Sequence, residues 1–275
     1  MMRRLTRAVL LILIICCARQ AQAACTLTDG AGLAFGSYTG GGVAQDATNT
    51  WKVTTCTGGW SIPLNAGTGA GASETVRFMT GPGNAKISYA VYQSPGYTVN
   101  WGNTTGTEVT GTGNANGTFD GQITAGQYPT PGTYTDTLTT ASTHFPVSVT
   151  VVSACTISAT NLAFGTYTKA LINSTSTISV TCTNTTTYNV GLSAGAGGSV
   201  TTRKMPGPGG YSLGYKLCSD GTSCSTNWGN TVGTDTKAGT GTGALQSLTV
   251  YGQLPAGQNV EAGNYTDTIT ATVTY

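Results

Sequence analysis

Residues 145–168 read FPVSVTVVSACTISATNLAFGTYT, and the two halves of this stretch decide the fold. Its second half, ACTISATNLAFGTYT from Ala154, repeats ACTLTDGAGLAFGSYT from Ala24 with a single one-residue gap. Its first half alternates Phe145, Val147, Val149 and Val151 with small or polar residues, the period-two pattern of a strand with one buried face. The repeat continues outward. Cys56 faces Cys182, Arg77-Phe78-Met79 faces Arg203-Lys204-Met205, and Trp101-Gly102-Asn103-Thr104 faces Trp228-Gly229-Asn230-Thr231. GQITAGQ from Gly121 aligns without gaps to GQLPAGQ from Gly252, and GTYTDTL from Gly132 to GNYTDTI from Gly263. The chain is therefore two copies of one unit of about 125 residues, a normal domain size.

Composition sets the class of that unit. With 8% charged and 39% hydrophobic residues among 275, charge-driven disorder is excluded, and the 40 glycines follow no Gly-X-Y period. Threonine, valine and tyrosine are abundant and strong helix formers scarce, which points to an all-β protein. In the first copy strands are expected near 27–38, 51–57, 61–65, 76–79, 87–92, 119–124 and 134–140. Short strands with frequent turns in a unit of this size predict an immunoglobulin-like Greek-key β-sandwich, present twice.

The N-terminus reads as an address label. Arg3, Arg4 and Arg7 precede an apolar run from Ala8 to Cys17, and Ala21-Gln22-Ala23 is a small-x-small cleavage site. Residues 1–23 are thus a signal peptide, and the domains are expected at 24–153 and 154–275. Removing 1–23 leaves eight basic against ten acidic residues, a formal charge of −2, so no nucleic-acid partner is expected. Six cysteines remain in an exported chain and are expected to pair. The repeat matches Cys25 with Cys56 and Cys155 with Cys182, the cysteines both copies share, which leaves Cys218 for Cys224. Zinc is the rival for the last pair, but neither a histidine nor a second cysteine pair accompanies it.

The copies differ at their ends. After its YTDT segment the second copy runs Ile269-Thr270-Ala271-Thr272-Val273-Thr274-Tyr275, and no strand follows in the sequence; the first copy goes on into 145–152. A sandwich without its last strand exposes an apolar groove and unpaired backbone groups. Four apolar side chains at about 1.5–3 kcal/mol each contribute on the order of 6–12 kcal/mol gross, comparable to a small domain's net stability. The expectation is that 145–152 completes the first domain from within the chain, while the second takes a strand from another subunit.

The run of alternating apolar residues before CTISATNLAFGTY, the YGQLPAGQ segment and the terminal AGNYTDTITATVTY resemble the spore coat protein U domain, itself similar to subunits of archaic chaperone-usher pili. The resemblance implies that a segment before a subunit's first cysteine inserts into its neighbour's groove. It also implies that the open C-terminal strand, here Ile269, Ala271, Val273 and Tyr275, is held by a periplasmic pilus chaperone on the way to an outer-membrane usher. By resemblance, Phe145, Val147, Val149 and Val151 are a donor strand fused to its acceptor. Since nothing before Cys25 can donate, the expected role is a two-domain tip subunit, an adhesin at the cell surface mediating attachment and biofilm formation. The adhesive pole is expected to carry loops near 58–60, 80–86, 103–117 and 141–144, with Gly58, Gly59 and Trp60 as the candidate loop for an unknown receptor. Tyr97, Val99, Tyr128 and Pro129 are expected at the opposite pole. Alternatives are a coat-like or surface protein without adhesive activity, or a soluble carbohydrate-binding module. No enzyme, cofactor or metal is expected: His144 is the only histidine, and Asp136 and Asp267 read as structural residues beside turns.

Overall fold

The computed structural model describes residues 25–93 and 96–275; the expected signal peptide at 1–23, Ser94 and Pro95 lie outside the described residues. The first copy forms β1 (Thr26–Asp29), β2 (Leu33–Tyr38), β3 (Gln45–Thr54), β4 (Gly59–Ile62), β5 (Arg77–Thr80), β6 (Lys86–Gln93), β7 (Val109–Thr112), β8 (Ala115–Ile123), β9 (Gly132–Thr139) and β10 (His144–Val151). Eight of these make one sheet in the order β1-β3-β8-β6-β5-β9-β10-β2, and β4 pairs with β7. Because β1 and β2 are adjacent in sequence but at opposite ends of that order, the sheet folds over on itself into a sandwich. Its thin seam is β5 to β9, joined through the single pair Thr80 with Thr135.

The stretch expected as one strand at 27–38 is thus two, with different partners. Gly36, at φ 73°, lies in β2 where the register against β10 shifts between Ser148 and Thr150, a bulge only glycine enters without strain. β3 starts well before the expected 51, because Gln45 to Thr50, polar except for Ala47, pair with β8 through both exposed and half-buried positions. Within the expected loop 103–117 lies β7, whose Gly111 accommodates the ring of Trp60 across the strand pair.

The second copy forms β11 (Cys155–Ala159), β12 (Ile172–Cys182), β13 (Thr187–Leu192), β14 (Arg203–Pro206), β15 (Ser212–Cys218), β16 (Lys237–Thr240), β17 (Leu245–Leu254) and β18 (Ala271–Thr274). They make the sheets β11-β12-β17-β15-β14 and β16-β13-β18. It is the same sandwich lacking its last strand. The segments matching β2 and β9, near 162–167 and 263–270, carry no strand ladder, since the strand that would lie between them is missing.

A polar frame is repeated in both copies. Arg77 is fully buried and donates to the carbonyls of Asn65, Glu74 and Trp101; Arg203 does the same to Ser193, Val200, Leu192 and Trp228. Each guanidinium thus ties the strand-end carbonyls around one buried tryptophan, whose indole donates in turn to Ile62 or Val190. Burial lowers both arginine pKa values.

Candidate functional site

The site is clearest from the copy in which it is filled. β10 runs antiparallel to β9 from His144 opposite Thr139 to Val151 opposite Gly132, and parallel to β2 from Val147 opposite Leu33. Pro146, which has no N–H, sits just before the β2 pairing begins, where no ladder bond to β2 is lost. Phe145, Val147, Val149 and Val151 are all buried in the first core. Phe145 meets Trp101 and Phe119 edge-to-face at 6.0 and 5.3 Å. Around this strand Leu33, Phe35, Tyr38, Tyr134 and Leu138 are buried.

In the second copy the matching residues Leu162, Phe164, Tyr167, Tyr265 and Ile269 are only partly buried. Between them runs a groove of about 1100 Å³. Its floor includes Ile178, Leu213, Tyr215, Leu217, Val250 and Leu254. Beside it Tyr215 donates to Asp267 at 2.6 Å, and burial, reinforced by that carboxylate, raises the tyrosine pKa, so the phenol keeps its proton. Asp267 also accepts from the backbone N–H of Ala196, as Asp136 in the first copy accepts from Thr68 N–H and Tyr89 O–H. Asp136 thus braces β9 beside β10, and Asp267 braces the matching segment beside the groove.

Of the expected acceptor edge, Ile269 and Ala271 line the groove. Ala271 and Val273 lie in β18, paired antiparallel to β13 and packed on the second core, and Tyr275 is 59% exposed. The corresponding residues of the first copy turn back into β10 instead. Disulfides join Cys25 to Cys56, Cys155 to Cys182 and Cys218 to Cys224.

The segment 58–60, expected as a loop, is partly strand: Gly59 and Trp60 open β4, and the carbonyl of Gly58 accepts from Gly113 N–H. Trp60 is half-buried, packs edge-to-face on Trp51 at 5.5 Å and donates its indole N–H to Gly113 at 2.8 Å. Its place in the second copy belongs to Tyr188, buried over Gly239 as Trp60 lies over Gly111. An aromatic facing a glycine across the ladder, twice, was the signal in the repeat that this residue builds the sandwich.

The pole assignment also needs correction. Because Thr80 pairs with Thr135, the chain leaving β5 runs toward Gly132 and the second copy, so 80–86 is not at the far pole. Ala85 and Lys86 flank a cleft of about 340 Å³ with Tyr128, Pro129 and Asn184. There Asn184 donates its backbone N–H to Tyr128 and its side chain to Thr130, tying the copies together. Tyr97 sits at neither pole: its ring packs on Tyr92 and its hydroxyl meets Asp46, across the outer face of the sheet. The 141–143 turn remains at the end of β10 opposite the junction.

The family model for the Spore Coat Protein U domain matches this chain twice, at residues 13–141 and 141–272. The chain belongs to the spore coat protein U family. The two family matches meet at 141, so by sequence β10 falls in the second spore coat protein U segment, while in space its side chains lie in the first core. Protein U of Myxococcus xanthus is 35% identical over 155 residues, 50% of this chain and 86% of that one. A chain of the crystal structure of the CsuC-CsuE chaperone-tip adhesion subunit pre-assembly complex, from the archaic chaperone-usher Csu pili of Acinetobacter baumannii, has the same fold. It aligns with a TM-score of 0.56 and 14% identity over 92% of this chain and 100% of its own. Among the described residues no helix is long and apolar enough to cross a membrane, and no three His, Cys, Asp or Glu side chains gather as a metal site.

Proposed function

We propose that this spore coat protein U family chain is a two-domain subunit of a chaperone-usher pilus, and that its second domain, 154–275, is completed by a strand from an adjacent subunit. One observation carries the reading: β10 belongs by sequence to one copy and by packing to the other, so the chain already contains one donated strand and one groove without it. The partners would be a periplasmic chaperone and an outer-membrane usher in transit after export, then the neighbouring subunit in the fibre. The likeness to a chain of a chaperone and tip adhesion subunit complex supports a tip position, with the first domain, 24–153, presented outward at the cell surface for adhesion and biofilm formation.

The test is thermal unfolding of the full chain with and without a peptide copying 145–152. A ligand at about 100 times its dissociation constant stabilises by about 2.7 kcal/mol, which moves a domain's melting point by several degrees. The second domain's transition should rise and the first domain's should not. An unmoved second transition would remove the acceptor reading.

A structural coat or surface role without adhesion is the second reading, favoured by the family to which the chain belongs. Binding of the full chain to abiotic or cell surfaces, weakened by substitutions in the 141–143 turn, separates the two; a chain that binds neither favours the coat.

A further inference from the structure

The groove of the second domain is not a copy of the first. In the first, Phe145 completes a three-ring cluster in which Trp101 and Phe119 are 5.1 Å apart. The repeat places Trp228 where Trp101 is, but Val250 where Phe119 is, so one of the two receiving rings is absent. Leu217 stands where Val91 does and returns one methylene, far less than a phenyl ring. Val250 and Leu217 both line the groove, with Trp228 buried in the core behind it, and small Ala271 borders the same end.

We propose that Val250 sizes this end of the groove for a strand whose residue seated over Val250 and Leu217 is aromatic and larger than the phenylalanine of β10. The occupant is a β-strand of another subunit with alternating apolar side chains, and its bulkiest member takes the place that Phe145 holds in the first domain. A small side chain there leaves a void over Val250, and voids forfeit packing contacts. An indole fills it with more apolar area than a phenyl ring. This inference rests on the strand-acceptor reading above.

The experiment titrates three peptides copying His144–Val151 into the full chain and reads affinity by calorimetry: one unchanged, one carrying Phe145→Trp and one Phe145→Ala. On the native chain the Trp peptide should bind tighter than the Phe peptide, and on the order of tenfold or more tighter than the Ala peptide. In Val250→Phe, which installs the residue the first copy has at this place, the Trp peptide should lose its advantage over the Phe peptide. A Trp peptide no tighter than the Phe peptide on the native chain overturns the inference, whether or not the variant folds. An unchanged ranking on folded Val250→Phe overturns it as well. Binding by all three with equal affinity removes the sizing role alone, whereas binding by none removes the acceptor reading and this inference with it.

Discussion

Leu33, Phe35, Tyr38, Tyr134 and Leu138 in the first copy and Leu162, Phe164, Tyr167, Tyr265 and Ile269 in the second are nearly the same residues in the same places. The first set is buried and lies on two regular strands; the second is half-buried on segments without a ladder. The side chains of the two sets are nearly constant across the comparison, so the difference in their burial and pairing follows from β10, the neighbouring strand that only the first set has. Being a strand, like being buried, is here a property conferred by the adjacent chain. Backbone groups on either lip find ladder partners only when something lies between them.

The hardest blow to this contrast is Val149→Asp. A charge on the buried face of β10 has no partner, and an uncompensated buried charge costs about 3–5 kcal/mol. The first domain should lose most of its stability in a thermal melt while the second keeps its own transition; an unchanged first transition would mean that β10 does not hold the first core.

The disulfides sharpen the contrast next. Cys155 and Cys182 are 27 residues apart and Cys218 and Cys224 only 6. On the loop-entropy model, replacing the first pair by alanine costs about 3.5 kcal/mol and the second about 2 kcal/mol. Denaturant unfolding of the two variants checks the order, and a reversed order would break it. The smaller cost also fits the first copy, where the pair of Tyr92 and Tyr97, packed edge-to-face at 5.5 Å, stands in the place of this disulfide. Tyr97 and Cys224 even share a left-handed backbone, with φ of 55° and 51°.

The smallest effect is one of pH. Glu74, in the first copy, accepts from the backbone N–H of Asn103 and the hydroxyls of Thr104 and Thr107, which hold its pKa below the ordinary 4.5. A lowered folded pKa means that its contribution is present near neutrality and fades as the pH falls from 4.5 through the folded value. Glu74→Gln should therefore flatten the acid limb of the first domain's stability profile and leave the second domain's unchanged. An acid limb as steep as before would show that other carboxylates carry it.

Much of this was legible from residue pattern. The repeat and the alternation of Phe145, Val147, Val149 and Val151 revealed two sandwiches and one extra strand, because apolar period-two runs have few other uses. What stayed hidden was polar or non-local. Gln45 to Thr50 form half a strand whose outward face is solvated, and the small Ala47 is the one apolar residue that marks it. The arginines at 77 and 203 were aligned without any sign that they are buried, because their partners are backbone carbonyls that sequence does not display. The role of Trp60 needed Gly111, fifty-one positions later, to be understood. The end at which 80–86 lies depends on β5 crossing the seam to β9, a non-local pairing that residue pattern does not display.

The run-out of β10 has a mechanical consequence. Val152 still donates its N–H to Tyr38, and two residues later Ala154 is bonded to Thr183 of the second domain. There is no slack between them. A pull that separates the second domain from an anchored first domain therefore acts along the axis of β10, and the ladder to β9 is loaded in shear, its bonds sharing the tension instead of peeling one after another. Survival under such a load is governed by the rate of unfolding, so the strand that completes the first domain also bears any tension passed between the two domains.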